Sequence, residues 1–270
     1  MSPPPPNRLS AALITRNAAA VLEACLDSLA FADEIVVVDS SSSDATAELA
    51  ARKGARVVQK EWLGFGRQKQ FAVEQAKNDW VLCLDADERV SPALQASIEA
   101  ALAAPKFNAY AMPRRNRFLG RYLRHGEGYP DWSLRLFHRD FARWSSDAVH
   151  ETVLTREPVG RLTGDLLHHS AEDLAMYLAK QNRYTTLQAE SLVRSGRRIG
   201  LAKLALSPLL RFIKFYVIRR GFLDGAAGLV HVAIGSFNSF IKYAKVIELT
   251  RKSQENCEHS VLAASDPPRT

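Results

Sequence analysis

One stretch constrains the fold of this chain more than any other, because an entirely apolar segment runs directly into a cluster of carboxylates. Trp80-Val81-Leu82-Cys83-Leu84 is followed at once by Asp85-Ala86-Asp87-Glu88. An uninterrupted apolar run of this length is typical of a strand that is buried on both faces of a helix-covered sheet. Burial of the carboxylates would be costly, so we expect them just past the end of the strand. In open α/β sheets this edge is where ligands bind.

The spacing of the acidic residues predicts a metal site. Side chains alternate along an extended chain, so Asp85 and Asp87 would point the same way while Ala86 points to the other side. Two neighbouring carboxylates repel each other unless positive charge lies between them. Oxygen ligands favour a divalent cation such as Mg²⁺ or Mn²⁺. The alternative is a strand end that only leads into the next helix, through Ser91 and Pro92.

The residues before this stretch alternate between strand and helix patterns. We predict strands at residues 9–14, 34–38, 55–59 and 80–84, with helices after residue 17 and at residues 45–53 and 67–77. Such alternation is typical of an α/β fold with a mostly parallel, Rossmann-like sheet flanked by helices. The right-handed crossover rule places the carboxyl ends of these strands at one edge. That edge would bring together Thr15, Arg16, Asn17, Asp39, Asp85 and Asp87.

Two cations lie at the start of the predicted helix at residues 67–77. Arg67 and Lys69 would oppose the helix dipole there, at about 0.3–1 kcal/mol each. An anion such as a diphosphate, docked at the helix start, would explain both residues. The alternative is that both side chains reach into solvent, where the penalty is screened.

The positive charge of the chain is concentrated near its C-terminus. The formal net charge is +7. Between residues 194 and 252, twelve Lys and Arg residues accompany two acidic residues, so this segment carries +10 and the remainder about −3. The basic segment therefore needs a local explanation. The three cysteines, Cys25, Cys83 and Cys257, show no metal-type spacing. We interpret them as thiols in a reducing compartment, which places the catalytic domain in the cytosol.

The C-terminal third predicts helices rather than more sheet. Residues 171–252 mix aliphatic, aromatic and basic residues, and the uncharged run at residues 225–241 is shorter than the roughly 20 residues that a spanning helix needs. We interpret the region as basic amphipathic helices that lie on an anionic membrane leaflet. An ordinary helical subdomain or an oligomer contact is the alternative. Residues 1–7, which are rich in proline, and residues 253–270 predict disordered tails, and we expect no signal peptide.

An ordered set of motifs resembles the family 2 glycosyltransferases of the GT-A fold. The set begins with Thr15-Arg16-Asn17, Asp39 with Ser43-Asp44-Ala45-Thr46, Lys69 and Asp85-Ala86-Asp87. It continues with Phe118-Leu119-Gly120-Arg121, Arg124-His125-Gly126, Tyr129-Pro130-Asp131, Arg135-Leu136-Phe137 and Val149-His150-Glu151. More closely, the chain looks like the lipopolysaccharide inner-core β-1,4-glucosyltransferases, over most of residues 9–250.

The resemblance assigns roles to individual residues. The nucleotide-sugar site would comprise Thr15, Arg16, Asn17, Asp39, Lys69, Asp85 and Ala86. The metal would be held by Asp87 with Asp85, and by His168, although a histidine on an apolar run is more often structural. Glu151 matches the catalytic base best, with Asp131 as the second choice. Acceptor binding would fall to Arg121, Arg124 and Arg135.

The resemblance implies an inverting transferase that moves a hexose, expected to be glucose from UDP-glucose, to the inner-core heptose of lipopolysaccharide. It would work at the cytoplasmic face of the inner membrane as a peripheral protein. A polyprenyl phosphate or a protein is the alternative acceptor. A basic binding module without catalysis is the alternative of another class. The arginines between residues 114 and 124 would also suit nucleic acid, but we expect no nucleic-acid partner, because the cations largely avoid the edge at the strand ends.

Overall fold

The computed structural model describes residues 7–146, 151–169, 173–197 and 199–264, with only the backbone from residue 254 onward. The chain divides into two compact units. The first unit comprises Met1–Arg117 and Tyr129–Ala171, and the second comprises Phe118–Gly128 and Glu172–Thr270. The sequence motifs predict a GT-A catalytic domain over residues 8–170, with the helical region after it, whereas the structure places Phe118–Gly128 in the second unit.

Strands and helices alternate along the chain as far as residue 85, and from residue 109 to residue 168 the elements are all strands. In chain order they are β1 Leu9–Thr15, α1 Ala19–Asp27, β2 Glu34–Asp39, α2 Thr46–Arg52, β3 Arg56–Gln59, α3 Phe65–Gln75, β4 Trp80–Asp85, β5 Glu88–Val90, α4 Pro92–Ala103, β6 Ala109–Phe118, β7 Arg121–Tyr122, β8 Asp131–His138, β9 Ala142–Trp144, β10 Val153–Thr155, β11 Val159–Arg161 and β12 Leu166–His168. Of these, β7 lies in the second unit.

The main sheet has a parallel part and a mixed part. Its strand order is β3-β2-β1-β4-β8-β6-β12-β5. The strands β3, β2, β1 and β4 pair in parallel, as the sequence predicts. Strand β8 runs antiparallel to both of its neighbours, β4 and β6. In the parallel part Thr15 is opposite Asp39 and Ile14 is opposite Asp85. The register therefore brings the polar ends of three strands to one edge, which confirms the predicted α/β fold.

Strand β4 is buried on both faces, as its apolar run predicts. Leu82 and Leu84 pack into a core cluster on one side of the sheet. Val81 and Cys83 pack into a second cluster on the other side. Ser91 then caps α4 by accepting a hydrogen bond from the Leu94 amide at 3.3 Å. The short connection that holds the acidic residues is thus fixed at both ends, by a buried strand and by a capped helix.

The second unit is helical. It contains α5 Leu174–Arg194, α6 Leu201–Phe212, a π-helical segment Ile213–Ile218, a 3₁₀ turn Gly221–Asp224 and α7 Gly225–Ala264. Asp224 is buried and fastens the segment Phe118–Gly128 to this unit, because its Oδ2 atom accepts the backbone amides of Arg124 and His125 at 2.9 and 2.8 Å. Among the described residues, no helix is long and apolar enough to cross a membrane.

Helix α7 corrects one sequence prediction. We predicted a disordered tail from residue 253, but α7 continues to Ala264. Residues 253–264 contain neither proline nor glycine, so the helical hydrogen bonds can continue through them. The other predicted tail, residues 1–7, and the last six residues lie outside the described part of the chain, except for Asn7.

Candidate active site

The first polar group at the sheet edge is built around Asp39, the last residue of β2. Asp39 is buried, and its carboxylate accepts hydrogen bonds from the Thr15 hydroxyl at 3.0 Å and from the Ser42 amide at 2.9 Å. The Ser42 hydroxyl in turn accepts the Asn17 amide at 2.8 Å. Asn17 and Ser41 have positive φ angles of 51° and 55°, which let the two loops turn sharply at the ends of β1 and β2.

The second group is a chain of charges around Asp85, at the end of β4. Lys69 Nζ lies 2.9 Å from Asp85 Oδ1 and 3.0 Å from Glu151 Oε1. Arg135 lies on the other side, with Nη2 at 2.8 Å from Asp85 Oδ2 and 2.9 Å from Glu88 Oε1. Both oxygens of Asp85 are therefore held by cations. Burial raises the pKa of Asp85, but the charges of Arg135 and Lys69 outweigh it and hold this pKa well below its ordinary range.

The same network continues to the second predicted base. Glu88 is fully buried and contacts Arg114 Nη1 at 3.4 Å in addition to Arg135. Arg114 Nη2 also lies 2.7 Å from Asp131 Oδ2. Asp131 is more exposed than Glu151, at 39% against 19% of the side chain. Arg114 and Arg135 thus connect acidic residues of β4, β5 and β8 in one salt-bridge network.

The third group joins Asp87 to His168. Residues 86 and 87 form a turn, so the strand alternation that was expected to align Asp87 with Asp85 ends at residue 85. Asp87 Oδ2 lies 3.1 Å from His168 Nε2, and His168 Nδ1 lies 2.8 Å from Asn116 Oδ1. Ala86 packs against the hydrophobic core instead, as predicted for the side chain between the two acids. Asp85 and Asp87 therefore have separate partners.

Two protein side chains in this third group, Asp87 and His168, could bind a divalent cation. Among the described residues, no group of three or more His, Cys, Asp or Glu side chains is placed to hold a metal ion. The pair of Asp87 and His168 has the right spacing, because two adjacent ligands at about 2.1 Å from an octahedral cation lie about 3 Å apart. Mg²⁺ sites of this kind commonly use one or two carboxylates and complete their shell with substrate phosphates and water. The donor atoms thus fit a cation that binds together with a diphosphate.

An open cleft of about 410 Å³ exposes part of this network. Its wall includes the charged residues Lys69, Asp85, Arg114, Arg135 and Glu151, and the aromatic residues Trp132 and Trp144. The Trp144 ring packs beneath two of the cations, with Lys69 Nζ at 4.8 Å and the Arg135 guanidinium at 5.6 Å from the ring centroid. Such cation–π contacts hold both cations in place without neutralising them.

The structure separates the predicted site residues into three sets. Thr15, Asn17, Asp39, Lys69, Asp85, Ala86, Asp87, Asp131, Arg135, Glu151 and His168 all belong to the first unit. Arg16 and Arg67 are exposed at the surface, so Lys69 enters the cleft wall without Arg67. Arg121 and Arg124 belong to the second unit, where Arg121 donates to the Leu223 carbonyl at 3.2 Å. His150, part of one quoted motif, lies outside the described residues.

Sequence reasoning missed the buried part of the network. Glu88 was read only as one of three acids, and Asn116 and Trp144 were not singled out. A charged residue inside an otherwise regular strand pattern is the signal that could have marked Glu88, because a buried carboxylate requires a cationic partner. That partner, Arg135, comes from β8, 47 residues further along the chain, which no local pattern reveals.

A family model describes the region that carries this site. Residues 10–161 match the model of glycosyl transferase family 2. The chain belongs to glycosyl transferase family 2. It is therefore a glycosyltransferase, and the helix-flanked sheet is the GT-A arrangement that the resemblance implied. Family membership also removes the alternative of a basic binding module without catalysis.

Relatives of similar length support this assignment. The lipopolysaccharide core biosynthesis glycosyltransferase LpsC of Rhizobium meliloti is 34% identical over 248 residues, which cover 89% of this chain and 92% of LpsC. An uncharacterized glycosyltransferase of Rickettsia typhi is 32% identical over 260 residues, which cover 92% of this chain and 89% of the relative. Both alignments span the two units of the chain.

Solved structures are more distant. Staphylococcus aureus TarS 1–349 in complex with UDP-GlcNAc is 15% identical, with a TM-score of 0.46 over 91% of this chain and 92% of that one. Glucosyl-3-phosphoglycerate synthase from Mycobacterium tuberculosis, in complex with Mn²⁺, UDP and glucosyl-3-phosphoglycerate, is 19% identical, with a TM-score of 0.45 over 72% of this chain and 82% of that one. At these values neither similarity supports a conclusion about the donor or the metal of this chain.

Proposed function

We propose that this glycosyltransferase transfers a hexose, glucose from UDP-glucose, to the inner-core heptose of lipopolysaccharide, with inversion at the anomeric carbon. The observation that carries the proposal is the 34% identity to LpsC, a lipopolysaccharide core biosynthesis glycosyltransferase, along nearly the full length of both chains. Because the alignment is not confined to the sheet domain, the helical unit is shared as well. A polyprenyl phosphate or a protein remains the alternative acceptor within the same fold.

The Asp39 group is the proposed site for the uridine of the donor. Its carboxylate is fixed by Thr15 and by Ser42, so the base or ribose would meet oriented acceptors at the ends of β1 and β2. Asn17 is exposed beside this group and holds the Ser43 amide through its side-chain oxygen at 2.8 Å. A preformed polar loop of this kind binds a nucleoside with little further ordering.

The Asp87 and His168 pair is the proposed cation site, with Asp85 beside it at the end of β4. When bound, a divalent cation would offset the negative charge that develops on the leaving diphosphate. Lys69 supplies a second positive charge from α3, held between Asp85 and Glu151. Lys69 and the two proposed cation ligands, Asp87 and His168, would thus act on a diphosphate bound at this edge of the sheet.

Glu151 is the proposed base that accepts the proton of the acceptor hydroxyl. It lines the same cleft as Asp85, and its ion pair with Lys69 orients the carboxylate toward that cleft. Asp131 is the second candidate, but Arg114 engages it through two nitrogens, at 2.9 and 2.7 Å. Both nitrogens contact the same oxygen, Oδ2, so this charge-assisted contact fixes the carboxylate. Glu151 is preferred because it lines the cleft, whose wall does not include Asp131.

The base assignment is tested with two isosteric variants. Glu151→Gln removes the proton acceptor and should lower kcat by about 10²–10⁴-fold while UDP binding is retained. Asp131→Asn is the matched control, with the same loss of charge in the same network, and should change kcat much less. A larger loss in Asp131→Asn than in Glu151→Gln would transfer the base role to Asp131.

The donor and acceptor are tested by binding and by product analysis. A thermal-shift panel of nucleotide sugars, with and without Mn²⁺, should give the largest shift for UDP-glucose with Mn²⁺. A ligand at about 100 times its Kd adds about 2.7 kcal/mol of stability. Asp87→Ala should remove the dependence on Mn²⁺ with the fold intact. Transfer of glucose to a heptose-terminated core acceptor, but not to a polyprenyl phosphate or a peptide, would support the proposed acceptor, and the opposite preference would refute it.

A peripheral position on the cytoplasmic face of the inner membrane is part of the proposal. Helix α6 has no buried residue. Leu201 is 78% exposed, Leu210 is 62% exposed, and Ile218 in the following π-helical segment is 72% exposed. The same stretch carries the cations Lys203, Lys214, Arg219 and Arg220. Exposed apolar side chains among cations are the pattern that inserts at the boundary of an anionic leaflet.

The membrane surface is tested by co-sedimentation with anionic vesicles. Leu210→Glu should reduce binding to phosphatidylglycerol vesicles by about tenfold or more. The change removes an apolar side chain that would be buried in the bilayer, and the new carboxylate is repelled by the anionic lipid head groups. Leu154→Glu is the matched control, since Leu154 is 48% exposed in the first unit. Equal binding by both variants would show that α6 does not contact the bilayer.

A further inference from the structure

The helical unit contains a cavity that the glycosyl transfer site does not use. Its volume is about 180 Å³, and every residue that lines it belongs to the second unit. Helix α5 contributes one face at spacings of four, seven, eight and eleven residues. These positions are Tyr177, Gln181, Tyr184, Thr185 and Gln188. The part of α5 that lines the cavity, from Tyr177 to Gln188, is thus polar and aromatic.

Helix α7 presents the matching face with the same spacing. Its positions are His231, Gly235, Asn238, Ser239 and Lys242. Two packed helices ordinarily bury apolar stripes, which contribute about 0.8 kcal/mol for each buried CH₂ group. Around the cavity the lining positions of both helices are instead mostly polar, although apolar residues such as Ala189, Val232 and Val246 are buried elsewhere on the two helices. The pattern is typical of a binding site and not of a packing interface.

The cavity wall is organised by an ion pair. Arg211 of α6 donates from Nε to Glu127 Oε2 at 3.2 Å and from Nη1 to the Ser239 hydroxyl at 3.3 Å. A Cβ atom at Gly235 would approach Glu127 Oε2 to 2.5 Å. Glycine in a helix costs about 1 kcal/mol relative to alanine. The chain carries this cost at a position where a Cβ atom would require the Glu127 carboxylate to shift.

The remaining groups can both donate and accept hydrogen bonds. Asn238 Nδ2 donates to Gln181 Oε1 at 2.9 Å, and both amides line the cavity. Burial, with the charge of Arg211, lowers the pKa of His231, so this ring is neutral near pH 7. Because Glu127 and Arg211 neutralise each other, Lys242 gives the cavity wall a net charge of one positive unit.

We propose that this cavity binds a single sugar ring, neutral or carrying one anionic substituent. Sugar hydroxyls donate and accept in several directions, which amides, hydroxyls and a carboxylate–guanidinium pair can satisfy together. The apolar face of a sugar ring packs against aromatic rings, which Tyr177 and Tyr184 supply. The volume is below the 300–1,000 Å³ of pockets for drug-sized ligands, which fits one ring and excludes a nucleotide sugar. This site is separate from the proposed donor site and does not depend on it.

The test uses the full chain and saturation-transfer NMR with free glucose, glucuronate and glucose 6-phosphate at millimolar concentrations. In the double variant Gln181→Leu/Asn238→Leu, both partners of one hydrogen bond are replaced by apolar groups of similar size, a change that is nearly neutral for stability. The Kd of the bound sugar should rise about tenfold or more, since two hydrogen bonds of about 0.5–1.5 kcal/mol each are removed. Gln188→Leu, at an exposed position of the same face, is a second variant in which folding is not at stake.

Gln95→Leu is the matched control, because Gln95 is an amide on α4 that bonds only along its own helix, to Glu99 at 2.9 Å. It should leave sugar binding within twofold of the wild type. UDP binding, measured on the same samples, reports on the first unit independently. Absence of any sugar signal from the folded wild type, or equal binding by the double variant, would overturn the proposal and identify the cavity as one that holds only water. A preference for the two anionic probes would assign Lys242 to the anionic substituent, in support of the proposal.

Discussion

Replacement of Arg135 tests whether the buried charge network supports the active-site edge. The guanidinium is 7% exposed and lies between Asp85 and Glu88, whose side chains are 31% and 0% exposed. Arg135→Met keeps most of the apolar volume but removes the cation. Glu88 would then keep the hydrogen bond from the Asp85 amide at 3.0 Å, but its cationic contact would be reduced to the longer one, to Arg114 at 3.4 Å. Loss of one partner from a buried ion pair costs about 3–5 kcal/mol, because the other charge stays buried and unpaired.

A control arginine just after β8, Arg139, separates this effect from the general loss of an arginine. Arg139 pairs with Asp79 at 3.0 Å, and the two side chains are 32% and 59% exposed. Exposed pairs of this kind contribute about 0–1 kcal/mol. Arg139 also donates to the Ala76 carbonyl at 2.8 Å, a hydrogen bond that contributes about 0.5–1.5 kcal/mol. Arg139→Met should therefore lower the free energy of unfolding of the first unit by about 1–2 kcal/mol, less than Arg135→Met.

The assay is urea unfolding followed by tryptophan fluorescence. The chain has four tryptophans, Trp62, Trp80, Trp132 and Trp144, and all of them belong to the first unit. The signal thus follows the sheet domain without a contribution from the helical unit. A second comparison uses Glu88→Gln in the Arg135→Met background, where removal of the unpaired charge should recover about 0.5–3 kcal/mol. If Arg135→Met is no more destabilising than Arg139→Met, or Glu88→Gln recovers nothing, the argument for a supporting charge network is wrong.

Three further predictions address single residues of the first unit. Arg135 and Lys69 hold the pKa of Asp85 below its ordinary value against the effect of burial. The stability that Asp85 contributes is therefore complete above about pH 4 and is lost as the pH falls further. Urea titrations between pH 3 and 7 should show this decline, and a stability that rises on acidification would contradict it. Burial raises the pKa of Cys83 to about 11, so peptide-resolved thiol labelling at pH 8 should modify Cys83 only after unfolding, and rapid labelling of the folded protein would show that the strand is not buried. Gly164 has a φ of +88°, and a Cβ atom there would lie 2.2 Å from a backbone nitrogen of α4. Gly164→Ala should therefore destabilise the first unit by more than about 1 kcal/mol. An unchanged urea midpoint, followed by tryptophan fluorescence, would refute the close approach.

Local sequence patterns predicted the elements from β1 to β4 and the edge at which the polar residues of these strands gather. The apolar run of β4 is buried on both faces, and the register places Thr15 beside Asp39 as the crossover rule requires. Hydrophobic periodicity and strand-end chemistry are local properties, so one sequence is sufficient to read them. Three of the motifs that resembled family 2 glycosyltransferases, at Thr15-Arg16-Asn17, Asp39 and Asp85-Ala86-Asp87, lie at these strand ends, and the family assignment is confirmed.

Other features could not be read from one sequence because they arise from contacts between distant segments. Asp85 and Asp87 are two residues apart, yet a turn gives them different partners, Arg135 with Lys69 for one and His168 for the other. The assignment of residues 118–128 to the helical unit depends on Asp224, about 100 residues away in sequence.

The sequence by itself determined the order of strands and helices as far as β4, the position of the acidic edge and the family. Only the tertiary structure decided how the charges on that edge are paired and which residues enclose the cavity between α5 and α7. The physical reason is that apolar periodicity acts within one element, whereas a buried charge or a polar cavity is stabilised only by partners that folding brings from elsewhere in the chain.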